Sequence, residues 1–321
     1  MVGNAPEMPS ILGISVPKTN NTNLKTLGFE LQIAWRDRLS NGLGYSARFM
    51  LSDSRTKITK YPNNPTNSID QTLAGRYTGE IWGYETIGIA KTDEEMQSHL
   101  SSLSNGGQDA LGNQWSAGDI MYKDLNNDGK ISSGSRTLDD HGDLKVIGNN
   151  TPRYQFGIDL SADWKNFDVR LFLQGVLKRD YWQGSSYFWG AGGNIWWSTG
   201  LTQHENFFRN TTYGAFTSTN TDAYYPRPLF NSNKNRQEQS RYIQNASYMR
   251  LKNLQIGYTI PESITKKIHV QKLRAYISGE NLWTLTNMAE MFDPETVGGG
   301  SGNGNAYPLS KTFSFGLNIT F

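Results

Sequence analysis

Between residues 27 and 36 every odd position is large and apolar: Leu27, Phe29, Leu31, Ile33 and Trp35. The even positions are Gly28, Glu30, Gln32, Ala34 and Arg36. At the C-terminal end Phe313, Phe315, Leu317, Ile319 and Phe321 alternate with Ser314, Gly316, Asn318 and Thr320. Successive side chains of a strand point to opposite faces, so each segment is a strand with one apolar face and one wet face. Five further segments qualify, at 45–58, 153–163, 167–181, 247–260 and 272–282. Several of the seven have the roughly nine to eleven residues that a tilted membrane strand needs.

The connections alternate in length as well. Arg38–Gly44, Lys165–Asn166 and Pro261–Gln271 are short, whereas 61–152, 182–246 and 283–311 are long and rich in Gly, Asn, Ser and aromatics. Short turns at one end and long loops at the other is the asymmetry of an outer-membrane barrel, with the long loops outside. If the last strand descends to the periplasm, counting back puts all three short turns there. A β-sandwich also gives alternation, but rarely with such consistent loop asymmetry. Inside the first long loop, 79–88 and 119–123 are expected to be extended and to form a small hairpin, and 91–103 to carry one helix.

Composition taken alone points elsewhere. The mean hydropathy is -0.60, and no run of about eighteen apolar residues is present to make a membrane helix. Barrels reconcile low hydropathy with high aromatic content, because every second residue faces lipid and aromatic girdles mark both interfaces. Here aromatics reach 12%, with 16 Tyr and 9 Trp, and Gly reaches 33. A formal charge of +2 across 321 residues gives no argument for a nucleic-acid partner. The absence of Cys excludes disulfides and thiolate metal sites. Met1 is followed by Val2-Gly3-Asn4-Ala5-Pro6, which lacks the basic and apolar regions of a leader. The expectation is that the true N-terminus lies elsewhere or that the chain is not exported.

Several phrases, in order, resemble the C-terminal region of SusC/RagA-type TonB-dependent transporters. They include Leu27-Gly28-Phe29-Glu30-Leu31, Gly118-Asp119-Ile120-Met121-Tyr122-Lys123 running on to Ile131, and Ile147-Gly148-Asn149-Asn150-Thr151-Pro152. Then follow Tyr225-Pro226-Arg227, Ser247-Tyr248-Met249-Arg250-Leu251-Lys252-Asn253-Leu254, Ser278-Gly279-Glu280-Asn281-Leu282-Trp283, Asp293-Pro294-Glu295, Tyr307-Pro308 and the terminal Phe321. The resemblance implies an all-β fold: a transmembrane antiparallel barrel of about 22 strands with a plugged lumen. Residues 1–321 would be the C-terminal part of that barrel, with 61–152 and 182–246 as large extracellular loops. The plug, the TonB box and the earlier strands would lie outside this chain, which is expected to be a truncated gene product or a fragment. An open seven-stranded sheet leaves two unpaired edges that lipid does not tolerate. The partners implied are a SusD-like surface lipoprotein lidding the barrel, the TonB complex acting through the plug, and outer-membrane lipid. A glycan or peptide would be the ligand.

Three candidate sites stand out. Asp124, Asn126 and Asp128, with Gly129 and the Lys130 carbonyl, match the first half of an EF-hand-type loop and make calcium the candidate cofactor. Ser135 occupies the twelfth position, where the bidentate Glu would stand; Asp139, Asp140 and Asp143 come later. The metal-free alternative is a loop held by Asx-turns. The second candidate is the aromatic run Trp182, Tyr187, Phe188, Trp189, Trp196 and Trp197, whose flat faces suit sugar rings, a partner surface or the interface girdle. The third is Phe321, which closes an alternating strand and in this family would serve as an assembly signal.

Catalysis finds no support. His99, His141, His204 and His269 are scattered, and no nucleophile elbow of the G-x-S-x-G kind occurs. Residues 298–304 are glycine-rich but follow no strand-to-helix pattern, so a flexible loop explains them better than phosphate binding. Glu30, Arg36, Arg48, Asp168 and Arg170 read as wet or plug-facing side chains of the lumen. The expected function is energised uptake of a large polar nutrient across the bacterial outer membrane by the complete protein. The alternatives are a secreted β-rich glycan-binding protein with a calcium loop, and a nonfunctional remnant.

Overall fold

Sequential strands joined by tight turns satisfy their backbone polar groups most simply by pairing antiparallel with their chain neighbours. The seven expected strands do this in the computed structural model, which describes residues 2–4, 11, 13, 18–190, 200–212, 214–298, 304 and 306–321. They are β1 (Asn23–Arg38), β2 (Gly44–Lys60), β3 (Arg153–Trp164), β4 (Phe167–Lys178), β5 (Tyr248–Thr259), β6 (Lys272–Thr286) and β7 (Thr312–Thr320). They form one sheet in chain order, with β1 and β7 at its edges. The sheet does not close on itself. A separate short pair joins Val2–Asn4 to Lys18–Asn20.

The register sorts the two faces. One row across all seven strands runs Trp35, Ala47, Leu160, Leu171, Leu254, Gly279, Phe313. The adjacent row runs Arg36, Ser46, Ser161, Arg170, Gln255, Ser278, Ser314. Leu27, Phe29, Leu31, Ile33 and Trp35 therefore share the apolar face, and Glu30, Gln32 and Arg36 the polar one. Neighbouring charges on the polar face pair with one another, as Arg170 does with Asp159 at 2.8 Å.

Leu251 and Leu254 are three apart, a spacing that would place them on opposite faces. A bulge at Lys252 corrects this: Leu173 and Phe172 are adjacent in β4 but pair with Leu251 and Asn253. The extra residue restores both leucines to the apolar side.

The short turns pass through left-handed backbone, at a glycine in the first and at a lysine in the second. Gly42 has φ 86°, and its amide donates to the Leu39 carbonyl at 2.9 Å. Lys165 and Asn166 alone connect β3 to β4, with Lys165 at φ 54°.

The long excursions carry the hydrophobic core. Among the described residues every member of the buried cluster, including Met96, Ile120, Tyr122, Ile131, Phe188 and Tyr242, comes from 61–152, 182–246 or 283–311. Three excursions thus fold together as a cap on one end of the sheet. The expected helix forms at α1 (Asp93–Ser102), where the Thr92 hydroxyl accepts from the Glu95 amide and three acids open the first turn. The expected pairing of the two extended pieces forms in part, and a second ribbon joins it. Thr86–Ile89 pairs with Ile120–Tyr122, and Glu80–Tyr84 with Leu144–Asn149, the latter a strand absent from the sequence reading. Gly83 packs against the Glu238 backbone and Tyr84 donates to the Glu238 carbonyl, so the second excursion sets the path of the first.

Candidate functional site

Asp119 anchors the cap. It is wholly buried and accepts from Arg227 Nε and Nη2 at 2.7 Å each, from Lys234 Nζ at 2.8 Å and from Asn235 Nδ2 at 2.8 Å. Burial alone would raise its pKa, but the bonds from Arg227, Lys234 and Asn235 outweigh it and hold the carboxyl below the usual carboxylate range. Burial draws Lys234 down, with Asp119 opposing, and its ammonium also lies 4.6 Å from the centre of the Trp115 ring. Gly118 permits the approach: its φ is +85°, and a Cβ there would meet Phe208 at 2.4 Å.

The phrases picked out in the sequence are therefore two halves of single contacts. Gly118-Asp119 holds Tyr225-Pro226-Arg227. In the same way Arg250 and Lys252 of β5 hold Asp293-Pro294-Glu295, with Arg250 at 2.8 Å from both Asp293 and Glu295 and Lys252 at 3.1 Å from Glu295. These pairs tie the third excursion to the sheet. The sequence named both partners in each case but not the pairing, because more than 100 residues separate Asp119 from Arg227.

The aromatic run divides. Phe188 is fully buried and Trp189 nearly so; Phe188 meets Trp189 at 5.1 Å and Tyr225 at 5.5 Å, and Trp189 meets Tyr242 at 4.7 Å. Phe188 is core, whereas Trp189 packs in the core and also lines the apolar cavity of the cap. Tyr187 is exposed, and Trp182 is half-buried beside Trp189. Trp196 and Trp197 lie outside the described residues. Phe321 is exposed just past the end of β7.

Asp124, Asn126 and Asp128 come together in one loop. Asp124 accepts from the Asn127 and Gly129 amides at 2.6 and 2.9 Å, Asn126 from Asp128 at 3.0 Å, and Asp128 from Lys130 at 3.1 Å. Gly129 makes the turn at φ 79°. Asp143 is wholly buried below, accepting from the Leu125 and Ser132 amides at 2.7 and 2.8 Å, and its burial pushes its pKa up. Ser135 donates from its amide and its hydroxyl to Asp140, at 2.9 and 2.6 Å. Among the described residues no group of three or more His, Asp or Glu gathers as a metal site.

Two kinds of cavity open in the cap. One, of about 520 Å³, is mostly apolar and is lined by Trp189, Phe207, Phe216, Tyr225, Leu229 and Phe230 among others. A polar pair, about 340 and 360 Å³, shares Arg136, Trp182 and Glu238. Sequence reasoning missed Arg136 and Glu238, since neither falls in a recognisable phrase.

No protein-family model matches the chain. Over 98% of its length it is 28% identical to TonB-dependent receptor P3 of Formosa agariphila, and over 97% it is 23% identical to TonB-dependent receptor P26 of the same organism. The chain spans about 30% of the length of these relatives. Among solved structures it superposes along its whole length on the RagAB peptide transporter, with a TM-score of 0.70 and 22% identity, covering 32% of that chain. The RagAB peptide importer in its open-open state gives 0.66 and 22%, with 31% of that chain covered. Sequence and fold agree with the resemblance read from the phrases: the chain is similar along its length to the TonB-dependent receptors P3 and P26, and its sheet has the fold of the corresponding part of the RagAB transporter.

Proposed function

We propose that the complete protein carrying this chain takes up a large polar nutrient across the outer membrane, energised through TonB and lidded by a SusD-like lipoprotein. The observation that carries this reading is the match to TonB-dependent receptors along 98% of the chain. The sheet supports it: Leu27, Phe29, Leu31, Ile33 and Trp35 at one edge and Phe313, Phe315, Leu317 and Ile319 at the other are exposed, as lipid contact requires, and the cap covers one end. The relatives are named as receptors, which supports a role without catalysis. Either a glycan or a peptide fits as cargo, and the name of the RagAB neighbour favours a peptide. The test is uptake of labelled peptide and oligosaccharide mixtures by cells with and without the gene. Gene-dependent uptake abolished by an uncoupler is expected, together with heat-modifiable gel mobility of the protein in the outer-membrane fraction. Gene-independent uptake, or a protein found free outside the cell, overturns the reading in favour of a secreted binding protein.

On the same proposal the Asp124 loop takes calcium. The donor set fits: Asp124, Asn126, Asp128 and the Lys130 carbonyl are hard oxygens, and each carboxylate oxygen keeps a lone pair beyond its amide bond. Only two carboxylates are offered, which suits the weak affinity of extracellular calcium modules, about 10⁻⁴–10⁻³ M. Calorimetry on the full-length protein should show calcium binding lost in Asp128→Ala. If chelator and substitution both leave the loop's protease resistance unchanged, the Asx-turns alone hold it. Phe321 is proposed as the assembly signal on the same footing.

A further inference from the structure

The smaller polar hollow, about 340 Å³, lies between the first and second excursions and is lined by Asp70, Glu80, Trp82, Arg136, Trp182 and Glu238 among others. Its size is at the low end for a ligand site, enough for one side chain rather than an oligosaccharide. Its lining carries three carboxylates against one guanidinium. Arg136 is committed to Asp70 through two hydrogen bonds, and Glu80 is held by Arg76 at 2.8 Å. Cancelling those pairs leaves Glu238.

Glu238 has no hydrogen-bond or ion-pair partner for its carboxylate among the described residues. Asp119 and Asp293, by contrast, are each matched by a cation. The residue as a whole is open to the cleft, but burial of the carboxyl pushes its pKa up, with Arg136 opposing and Asp70 adding. A carboxylate that lines a hollow and has no counter-ion attracts an arriving cation. The walls suit a cation too. Trp82 already faces the Arg76 guanidinium at 5.3 Å, and Trp182 presents a second indole to both hollows. An aromatic face beside a carboxylate is the pairing that holds an ammonium or guanidinium.

We infer that this hollow binds one cationic side chain of a peptide, with Glu238 as its counter-ion and Trp182 as its aromatic wall. The inference rests on the uptake reading and narrows its cargo to peptides bearing lysine or arginine.

The experiment uses the purified full-length protein and two short peptides with blocked ends, identical except for a central lysine or norleucine. Calorimetry should show the lysine peptide binding roughly tenfold tighter. That advantage should vanish in Glu238→Gln and return in part in Glu238→Asp, with thermal stability unchanged in both. Equal binding of the two peptides, or a lysine preference that survives Glu238→Gln, overturns the inference. Uptake by cells separates its failure from that of the broader reading. Peptides taken up without lysine preference sink the inference alone. Failure to take up peptide or oligosaccharide of any kind sinks the uptake reading and the inference with it.

Discussion

The sheet and the cap are made stable in opposite ways. Along β1 and β7 the large apolar side chains are open: Leu27 is 66% exposed, Trp35 63% and Phe313 76%. In the cap Met96, Ile120, Tyr122, Ile131 and Tyr242 are completely buried. The sheet is ordered by its hydrogen-bond ladder, and its exposed apolar face and two unpaired edges find no cover among the described residues. The cap supplies its own core and pins it with buried charges. A contiguous apolar surface of this extent marks a membrane or partner contact, whereas the cap resembles an ordinary soluble domain. Most of the candidate sites sit on the self-sufficient part.

The largest expected effect is at Asp119. Asp119→Ala leaves Lys234 buried and Arg227 half-buried without their shared counter-charge, at a cost of about 3–5 kcal/mol. Protease cleavage within 61–152 and 182–246 should rise sharply while heat-modifiable mobility of the barrel persists. Simultaneous loss of both would show that sheet and cap are one cooperative unit, and the contrast between them would fail.

The next tests the sheet. Leu31→Arg should cost about 2–4 kcal/mol if that residue lies near the bilayer midplane. Gln32→Arg, on the polar face, should stay within about 0.5 kcal/mol. Aqueous labelling of single cysteines should modify position 32 and spare 31; the reverse pattern would move the lipid to the other face. A smaller effect is expected at the end of β7. Phe321→Ser should lower the outer-membrane level several-fold, while Tyr307→Ser, which removes an equally exposed loop aromatic, should not. Equal surface labelling of the two variants would exclude the last strand as the assembly signal.

The same contrast explains what was legible in the sequence. Strand patterning is local, so Leu27 to Trp35 and Phe313 to Phe321 announce their faces without any knowledge of neighbours. All seven strands and the loop asymmetry follow from that. The cap is non-local. Whether Phe188 is core or contact depends on Tyr225, Tyr242 and Phe292 arriving around it, and no spacing rule encodes that. The expected pairing of 79–88 with 119–123 forms only at its end, Thr86–Ile89 against Ile120–Tyr122, because Glu80–Tyr84 takes its partner from Leu144–Asn149, some sixty residues along. Family phrases bridged part of this gap by naming Asp119, Arg227, Arg250 and Asp293 without saying which meets which.

The smallest expected effect is a pH dependence confined to the cap, because its acids shift in both directions. Asp119 is lowered: burial raises it, but Arg227, Lys234 and Asn235 win. Its contribution to stability is present above the unfolded carboxylate value, about 3.9, and is lost as pH falls through the lower folded value. Asp143 is raised by burial, only partly offset by the Ser132 and Leu125 amides. Its sign is the reverse: it favours the folded cap fully below the unfolded value, and that contribution is lost as pH rises through the folded one. Acidification from neutrality should therefore first tighten the cap slightly, as Asp143 takes up its proton, and then loosen it below about pH 4 as Asp119 does. Asn at position 143 stays neutral and still accepts one amide bond, so Asp143→Asn should flatten the mildly acidic gain and leave the loss at low pH in place. Protease resistance of 61–152, followed from pH 7 downward in both proteins, reads the difference. A wild-type profile that only falls on acidification would mean that Asp143 is charged in the folded cap, and the two acids would then act in the same direction.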